Sequence, residues 1–221
     1  MGKKRKAIIM AGGPINQELA LKELALGYDL LIAADSGGEF LYRHGYIPTI
    51  LLGDFDSISS EILLALEAQG AEIITYPAEK DYTDLELAVE TSILRGAEEI
   101  AIYGGLGGRL DHTLGNLGLM RKAHKKGVKM VLTGLRERVF LLSPGQAVIL
   151  PSTEEGFFSV LPLSEKVEGL TIEGAKYPLN KIKLEYGSTL GIHNEFIGAP
   201  VRISATVGYL YILLALADNN L

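Results

Sequence analysis

Leu30-Leu31-Ile32-Ala33-Ala34, followed at once by Asp35-Ser36-Gly37-Gly38, is the stretch that decides the fold. An unbroken apolar run with no polar alternation suits a strand buried on both faces, as in a parallel sheet covered by helices. Outward from it the same text recurs as Ala7 to Ala11, Thr49 to Leu52, Glu72 to Thr75, Ile100 to Tyr103 and Lys129 to Leu132. Between these runs lie helix-like segments at Gln17 to Ala25, Gly38 to His44, Ser59 to Gln69, Thr83 to Arg95 and Thr113 to Lys126. Several stop at a glycine, as at Gly45, Gly70, Gly96 and Gly127, where a left-handed cap costs little. The alternation predicts a Rossmann-like, largely parallel α/β sheet with helices on both faces.

Beyond about residue 136 the character changes. Short segments at Arg138 to Leu142, Ala147 to Leu150, Phe157 to Leu161, Leu170 to Ile172, Lys181 to Glu185, Val201 to Thr206 and Tyr209 to Leu214 are separated by Pro, Gly and Ser. That spacing predicts a smaller antiparallel β-sandwich. We therefore expect two domains, an α/β nucleotide-binding catalytic domain over 1–135 and an acceptor-binding and dimerisation domain over 136–221.

Composition narrows the function. Of 221 residues, 21 are Lys or Arg and 27 are Asp or Glu, a formal net charge of −6, which argues against binding nucleic acid by neutralising its phosphates. The absence of cysteine excludes disulfides, thiolate metal sites and cysteine nucleophiles together. Lys3-Lys4-Arg5-Lys6 precedes an apolar run too short for a secretory signal, and the run Tyr209 to Ala217 is too short for a membrane span. Those features lead us to expect a cytoplasmic protein, with no membrane and no nucleic acid among its partners.

Chemistry gathers in the loops that follow the buried runs, where a parallel sheet forms its ligand crevice. They read Asp35-Ser36-Gly37-Gly38, Gly53-Asp54-Phe55-Asp56-Ser57, Lys80-Asp81-Tyr82-Thr83-Asp84 and Gly104-Gly105-Leu106-Gly107-Gly108-Arg109-Leu110-Asp111-His112. So many carboxylates at one edge raise each other's pKa or demand a cation, and an all-oxygen set suits Mg²⁺ bound beside substrate phosphates. Each loop also has a plainer reading. Asp54 to Ser57 could cap the next helix, and Thr83 with Glu86 forms a capping box that favours Asp84 in the first turn for stability alone. The glycine-rich loop lets backbone approach a phosphate, and Arg109 offers a planar fork of donors. It is neither a Walker A loop nor a G-x-G-x-x-G fingerprint, because no Gly-Lys-Ser or Gly-Lys-Thr follows and Leu110 stands at the third glycine position.

In order, these four motifs resemble those of the thiamine pyrophosphokinase family, and the likeness continues through Leu114-Gly115-Asn116, Lys176 to Leu179 and Ser188 to Glu195. The resemblance implies transfer of the diphosphoryl group of ATP to the hydroxyl of thiamine with Mg²⁺, giving thiamine diphosphate and AMP. It implies Asp54, Asp56, Asp81 and Asp84 as catalytic residues, with Asp54, Asp56 and Asp84 as metal ligands. Asp35, Lys80, Gly107, Gly108, Arg109, Asp111 and Asn116 would surround the nucleotide. Ser188, His193 and Asn194 would meet thiamine, from a segment that reaches the partner subunit's cleft in a homodimer. The family usually has Ser where this chain has His193, whose imidazole would either contact the acceptor or reshape its pocket. Two rivals remain at this level: a pyrophosphokinase of the same fold acting on a hydroxymethyl pterin, and a non-catalytic nucleotide-binding module.

Overall fold

The fold was examined in a computed structural model, which describes residues 4–151 and 156–216. The chain divides into two compact units, Met1–Leu135 and Arg136–Leu221.

Unit 1 alternates β1 (Lys6–Met10), α1 (Gln17–Ala25), β2 (Leu30–Ala34), α2 (Gly37–Arg43), β3 (Ile50–Gly53), α3 (Ser60–Ala68), β4 (Glu72–Thr75), α4 (Asp84–Leu94), β5 (Glu99–Tyr103), α5 (Leu110–Lys125) and β6 (Lys129–Thr133). Its strands run parallel in the order β6-β5-β1-β2-β3-β4, with Ile9 of β1 in register with Ile32 of β2 and Ile102 of β5. Every residue of β2 and β3 is buried, as runs without polar alternation require. On one face Ile8, Met10, Leu31 and Leu51 pack with Leu24 of α1, Leu41 of α2 and Leu66 of α3. Helix α4 packs on β1, β2 and β3 and turns Leu85, Ala88 and Val89 inward. Strand order reverses direction between β1 and β5, so the crevice for a ligand opens above their carboxyl ends.

One boundary differs from expectation in a way that matters to the site. Helix α5 begins at Leu110 rather than Thr113, which takes Leu110, Asp111 and His112 out of the glycine loop and into a first helical turn. The shift was hidden because the N-cap is Arg109, whose side chain makes no capping bond, instead of one of the short polar residues that signal a start.

Unit 2 holds β7 (Glu137–Leu142), β8 (Ala147–Leu150), β9 (Phe157–Pro162), β10 (Lys166–Glu173), β11 (Leu179–Glu185), β12 (Asn194–Glu195), β13 (Val201–Ser204) and β14 (Leu210–Ala215). They pair antiparallel in two layers, β12-β9-β14-β7 and β11-β10-β13-β8. Phe158, Val160 and Ile212 from one layer share a core with Val167, Ile172 and Ile203 from the other. Strand β10 is longer than its apolar text because register slips between Val167 and Leu170, where Gly169 sits at φ +68° and restores the inward phase. Strand β12, two residues long, was not expected. The far end of the apolar run closing the chain, Ala217, lies outside the described residues.

Candidate active site

The loops after β1 and β5 meet first. Gly13 N donates to Gly104 O at 3.0 Å, and Gly104 sits at φ +76° with its position for a Cβ only 2.3 Å from Ala11 O. Only glycine allows that approach. Beside this junction, still within unit 1, opens a cleft of about 550 Å³ lined by the loops that follow β1, β2, β3, β4 and β5.

Asp35, Asp54 and Asp84 line it from the ends of β2 and β3 and the first residue of α4, with Lys80 among them. Asp35 stands at φ +47°, and its carboxylate occupies the space where a side chain on Gly53 would lie, 1.8 Å from the Cβ position. Asp54 belongs to a loop bent by Phe55 at φ +63°, and its Oδ1 accepts a bond from Asp56 N at 3.2 Å. Helix α3 is capped by Ser59, whose Oγ accepts from Ile62 N, so Asp54 is left to the cleft. Thr83 caps α4 by accepting from Glu86 N at 3.2 Å, while the Glu86 carboxylate turns to Lys122 instead of closing the expected box.

Lys80 Nζ lies 2.9 Å from Asp84 Oδ1 and 3.8 Å from Asp54 Oδ2, with its side chain only 12% exposed. The 2.9 Å approach is an ion pair without an aligned hydrogen bond. Asp84 Oδ1 and Asp35 Oδ1 are both buried, and neither has a hydrogen-bond partner while both carboxyls are ionised. Burial first, then repulsion from Asp84, a hydrogen bond to Asp84 that only the protonated form can make, and repulsion from Asp54 push the Asp35 carboxyl up to about 7 against the pull of Lys80. Burial works against charge on Lys80, but Asp84, Asp54 and Asp35 outweigh it and raise its pKa.

Arg109, which also lines the cleft, pairs with Asp111 beside it, Nε to Oδ1 at 3.1 Å and a terminal guanidinium nitrogen to Oδ2 at 2.6 Å. The bonds from Arg109, with one from His112 N, hold the Asp111 carboxyl down to about 2. Asn116 is buried and donates from Nδ2 to Gly105 O at 2.8 Å, fixing the glycine loop to α5.

The structure therefore brings Asp35, Asp54, Lys80, Asp84, Gly108, Arg109 and Asn116 to one cleft. It places Asp56 and Asp81 exposed on the loops beside it, and neither they nor Gly107 and Asp111 line it. Asp111 borders a smaller hollow with Glu86 and Asn116. Reading the sequence missed Gly12 and Gly13, which line the cleft, because Gly12-Gly13-Pro14 looked like a strand terminator; Ser36, in a loop the sequence did mark, lines it too. Its position after a buried run was the same signal that marked the other loops.

In unit 2 the acceptor segment has its own internal order. His193, at φ +60°, stacks on Phe157 with ring centroids 4.5 Å apart, and its backbone N–H donates to Ser159 Oγ. Asn194 is buried, donating to Tyr177 O and accepting from Tyr177 N, so its amide is occupied in joining two backbone segments. Ser188 is half-buried in the turn after β11, its Oγ 3.5 Å from Leu190 N.

A model of the thiamin pyrophosphokinase catalytic domain matches residues 21–132, and one of the thiamin pyrophosphokinase vitamin B1 binding domain matches residues 147–210. The chain belongs to the thiamin pyrophosphokinase family. Thiamine pyrophosphokinase of Bacillus subtilis (strain 168) is 36% identical over 205 residues, spanning 93% of this chain and 96% of its own length. The crystal structure of thiamine pyrophosphokinase from Bacillus subtilis superposes with a TM-score of 0.86 at 33% identity, covering 96% of this chain and all of that one. That of thiamin pyrophosphokinase from Geobacillus thermodenitrificans gives 0.82 at 29% identity over 98% of this chain. Both layouts share the large, mostly parallel sheet and the smaller antiparallel one. As a member of this enzyme family the chain is a diphosphotransferase, and the expectation of fold and family drawn from its motifs holds. Among the described residues no helix is long and apolar enough to cross a membrane.

Proposed function

We propose that the cleft of unit 1 is where this chain carries out its family's reaction, moving the diphosphoryl group of ATP to the hydroxyl of thiamine to give thiamine diphosphate and AMP, with Mg²⁺. The observation that carries the reading is the convergence of Asp35, Asp54 and Asp84 in one cleft, with Asp35 Oδ1 and Asp84 Oδ1 buried and lacking hydrogen-bond partners. Buried oxygens of that kind are left where a cation belongs. Among the described residues no three acidic or imidazole groups form a ready-made metal cage. Mg²⁺ takes one or two carboxylates and completes its shell with water and substrate phosphates, so it would need no such cage.

Asp54 and Asp84 would hold the ion, with Asp56 and Asp81 adding charge from the exposed parts of the same loops. When bound, the metal would neutralise phosphate charge and orient the diphosphoryl group. Arg109, kept in a fixed plane by Asp111, and the amides around Gly107 and Gly108 would meet phosphate oxygens, and Asn116 would hold that loop to shape. The thiamine hydroxyl oxygen would attack the β-phosphorus in line; the bond from that phosphorus to the α–β bridging oxygen would break, AMP would leave with the electron pair, and the hydroxyl proton would pass to solvent. Asp84 would stand nearest the acceptor hydroxyl. Positioning supplies most of the acceleration in such a transfer.

Ser188 and the stacked His193–Phe157 pair would receive thiamine in unit 2, while Asn194 shapes that segment from within. The match of this unit to a vitamin B1 binding domain favours thiamine over a hydroxymethyl pterin, and the match of unit 1 to a catalytic domain favours an enzyme over a binding module. We further read the protein as a cytoplasmic homodimer whose clefts are completed by the partner subunit.

Replacing Asp54 by Ala should lower AMP formation from ATP, Mg²⁺ and thiamine by roughly a thousandfold or more, with an unchanged circular dichroism spectrum. Near-normal AMP release by this variant at saturating Mg²⁺ would remove the assignment. AMP formed with the pterin and not with thiamine would transfer it to the rival substrate.

A further inference from the structure

We propose that Lys80 is a tethered stand-in for the divalent cation: its ammonium fills the space between Asp54 and Asp84 while no metal is bound, and metal entry displaces it. The inference rests on the reading of the cleft given above and adds to it how the site is kept between turnovers.

Two carboxylates reach this place from different elements, Asp54 from the loop after β3 and Asp84 from the first turn of α4. Without a positive charge between them they would repel, and among the described residues Lys80 is the cation paired with both. Lys80 does so from 2.9 Å and 3.8 Å, with a side chain held 12% exposed against carboxylates that are 19% and 20% exposed. One charge does not satisfy the cluster. Asp35 Oδ1 stays buried without a partner, and Asp84 Oδ1 meets the ammonium without an aligned hydrogen bond. A divalent ion placed there brings the missing charge, but it cannot share the space with an ammonium. Binding is therefore an exchange of one cation for another.

Lysine suits the role because its charge is compact and its four-carbon stem can swing while the backbone stays in place. Once displaced, the ammonium remains on the cleft rim, where a bound triphosphate would offer it negative charge. Metal and nucleotide should then assist each other: the metal frees Lys80, and the nucleotide gives the freed charge a partner. The free protein binds metal weakly because Lys80 competes, and that competition is relieved when nucleotide is present.

Mn²⁺ serves as the probe, with binding followed by calorimetry or electron spin resonance on the full-length protein. Measurements would compare wild type, Lys80→Gln, Lys80→Arg and Asp54→Asn, each with and without a non-hydrolysable ATP analogue. Without nucleotide, Lys80→Gln should bind Mn²⁺ roughly tenfold tighter than wild type, and Lys80→Arg no tighter than wild type. The analogue should raise Mn²⁺ affinity less in Lys80→Gln than in wild type. In chelator Lys80→Gln should melt lower than wild type, and Mn²⁺ should raise its melting temperature by more. Mn²⁺ affinity in Lys80→Gln equal to or below that of wild type overturns the inference, as does failure of both proteins to bind. Lys80→Met, which keeps the stem without its charge, provides the same comparison should the glutamine variant not fold. Asp54→Asn separates the two claims: unchanged Mn²⁺ binding there would remove the metal from this cluster altogether, whatever Lys80→Gln does.

Discussion

Asp35 shows how much one residue's meaning depends on its neighbours. As text it is an acid after a buried run. In the fold it is forced into the left-handed region and set against Gly53, with Asp84 and Asp54 as its charged neighbours and Lys80 as the cation pulling the other way. Its carboxyl titrates near 7 because of burial first and those acids second. The sign of the consequence follows from linkage. With a folded value above the unfolded one, the stabilising contribution is complete below the ordinary carboxylate range and is lost as pH rises through about 7. In chelator, Asp35→Asn should therefore raise the melting temperature clearly at pH 8 and much less at pH 5, and added Mg²⁺ should narrow the difference at pH 8. A gain that is the same at both pH values would contradict the stated charge environment.

At the scale of elements, helix starts and sheet strands were largely legible, and helix-to-helix coupling was not. The alternation of unbroken apolar runs with glycine-ended helices gave the positions of β2 and α1 as they stand, because local burial and capping chemistry are written in consecutive residues. Glu86 shows the limit. Its spacing from Thr83 promised a closed capping box, yet its carboxylate pairs with Lys122 on α5 at 2.6 Å, a partner distant in sequence that only folding brings near. Glu90, one turn on, takes both Lys122 and Lys126. Its carboxyl is held below the ordinary value by hydrogen bonds from Lys126 and then Lys122. A depressed value means stability present above the ordinary carboxylate range and lost as pH falls from there through the lowered value. Glu90→Gln should cost roughly 1 kcal/mol at pH 7, read as a fall of a few degrees in melting temperature, and the difference from wild type should fade at acid pH. A pH-independent difference would point to packing rather than to the ion pairs joining α4 and α5.

For the whole molecule, the expected partner is a second copy of the chain. Sedimentation equilibrium should return twice the 23.8 kDa of one chain, and activity should fall on dilution as dimers separate. A monomer with full activity would overturn the shared cleft. The sequence by itself determined the order of elements, the change of architecture near residue 136 and the four motifs that lead to the family, since each is a local pattern of burial, turn chemistry or spacing. Only tertiary structure decided which acids meet. Strand order carries Asp35, Asp54 and Asp84 to one cleft and leaves Asp56 and Asp81 exposed at its edge, although Asp54 and Asp56 stand two residues apart. It also spends the Asn194 amide on the Tyr177 backbone and seats the Lys80 ammonium among the carboxylates. Direction of a side chain in space depends on loop bends such as Phe55 at φ +63° and on close approaches such as Gly13 to Gly104. Those arise from packing between segments far apart in the chain, and no run of consecutive residues encodes them.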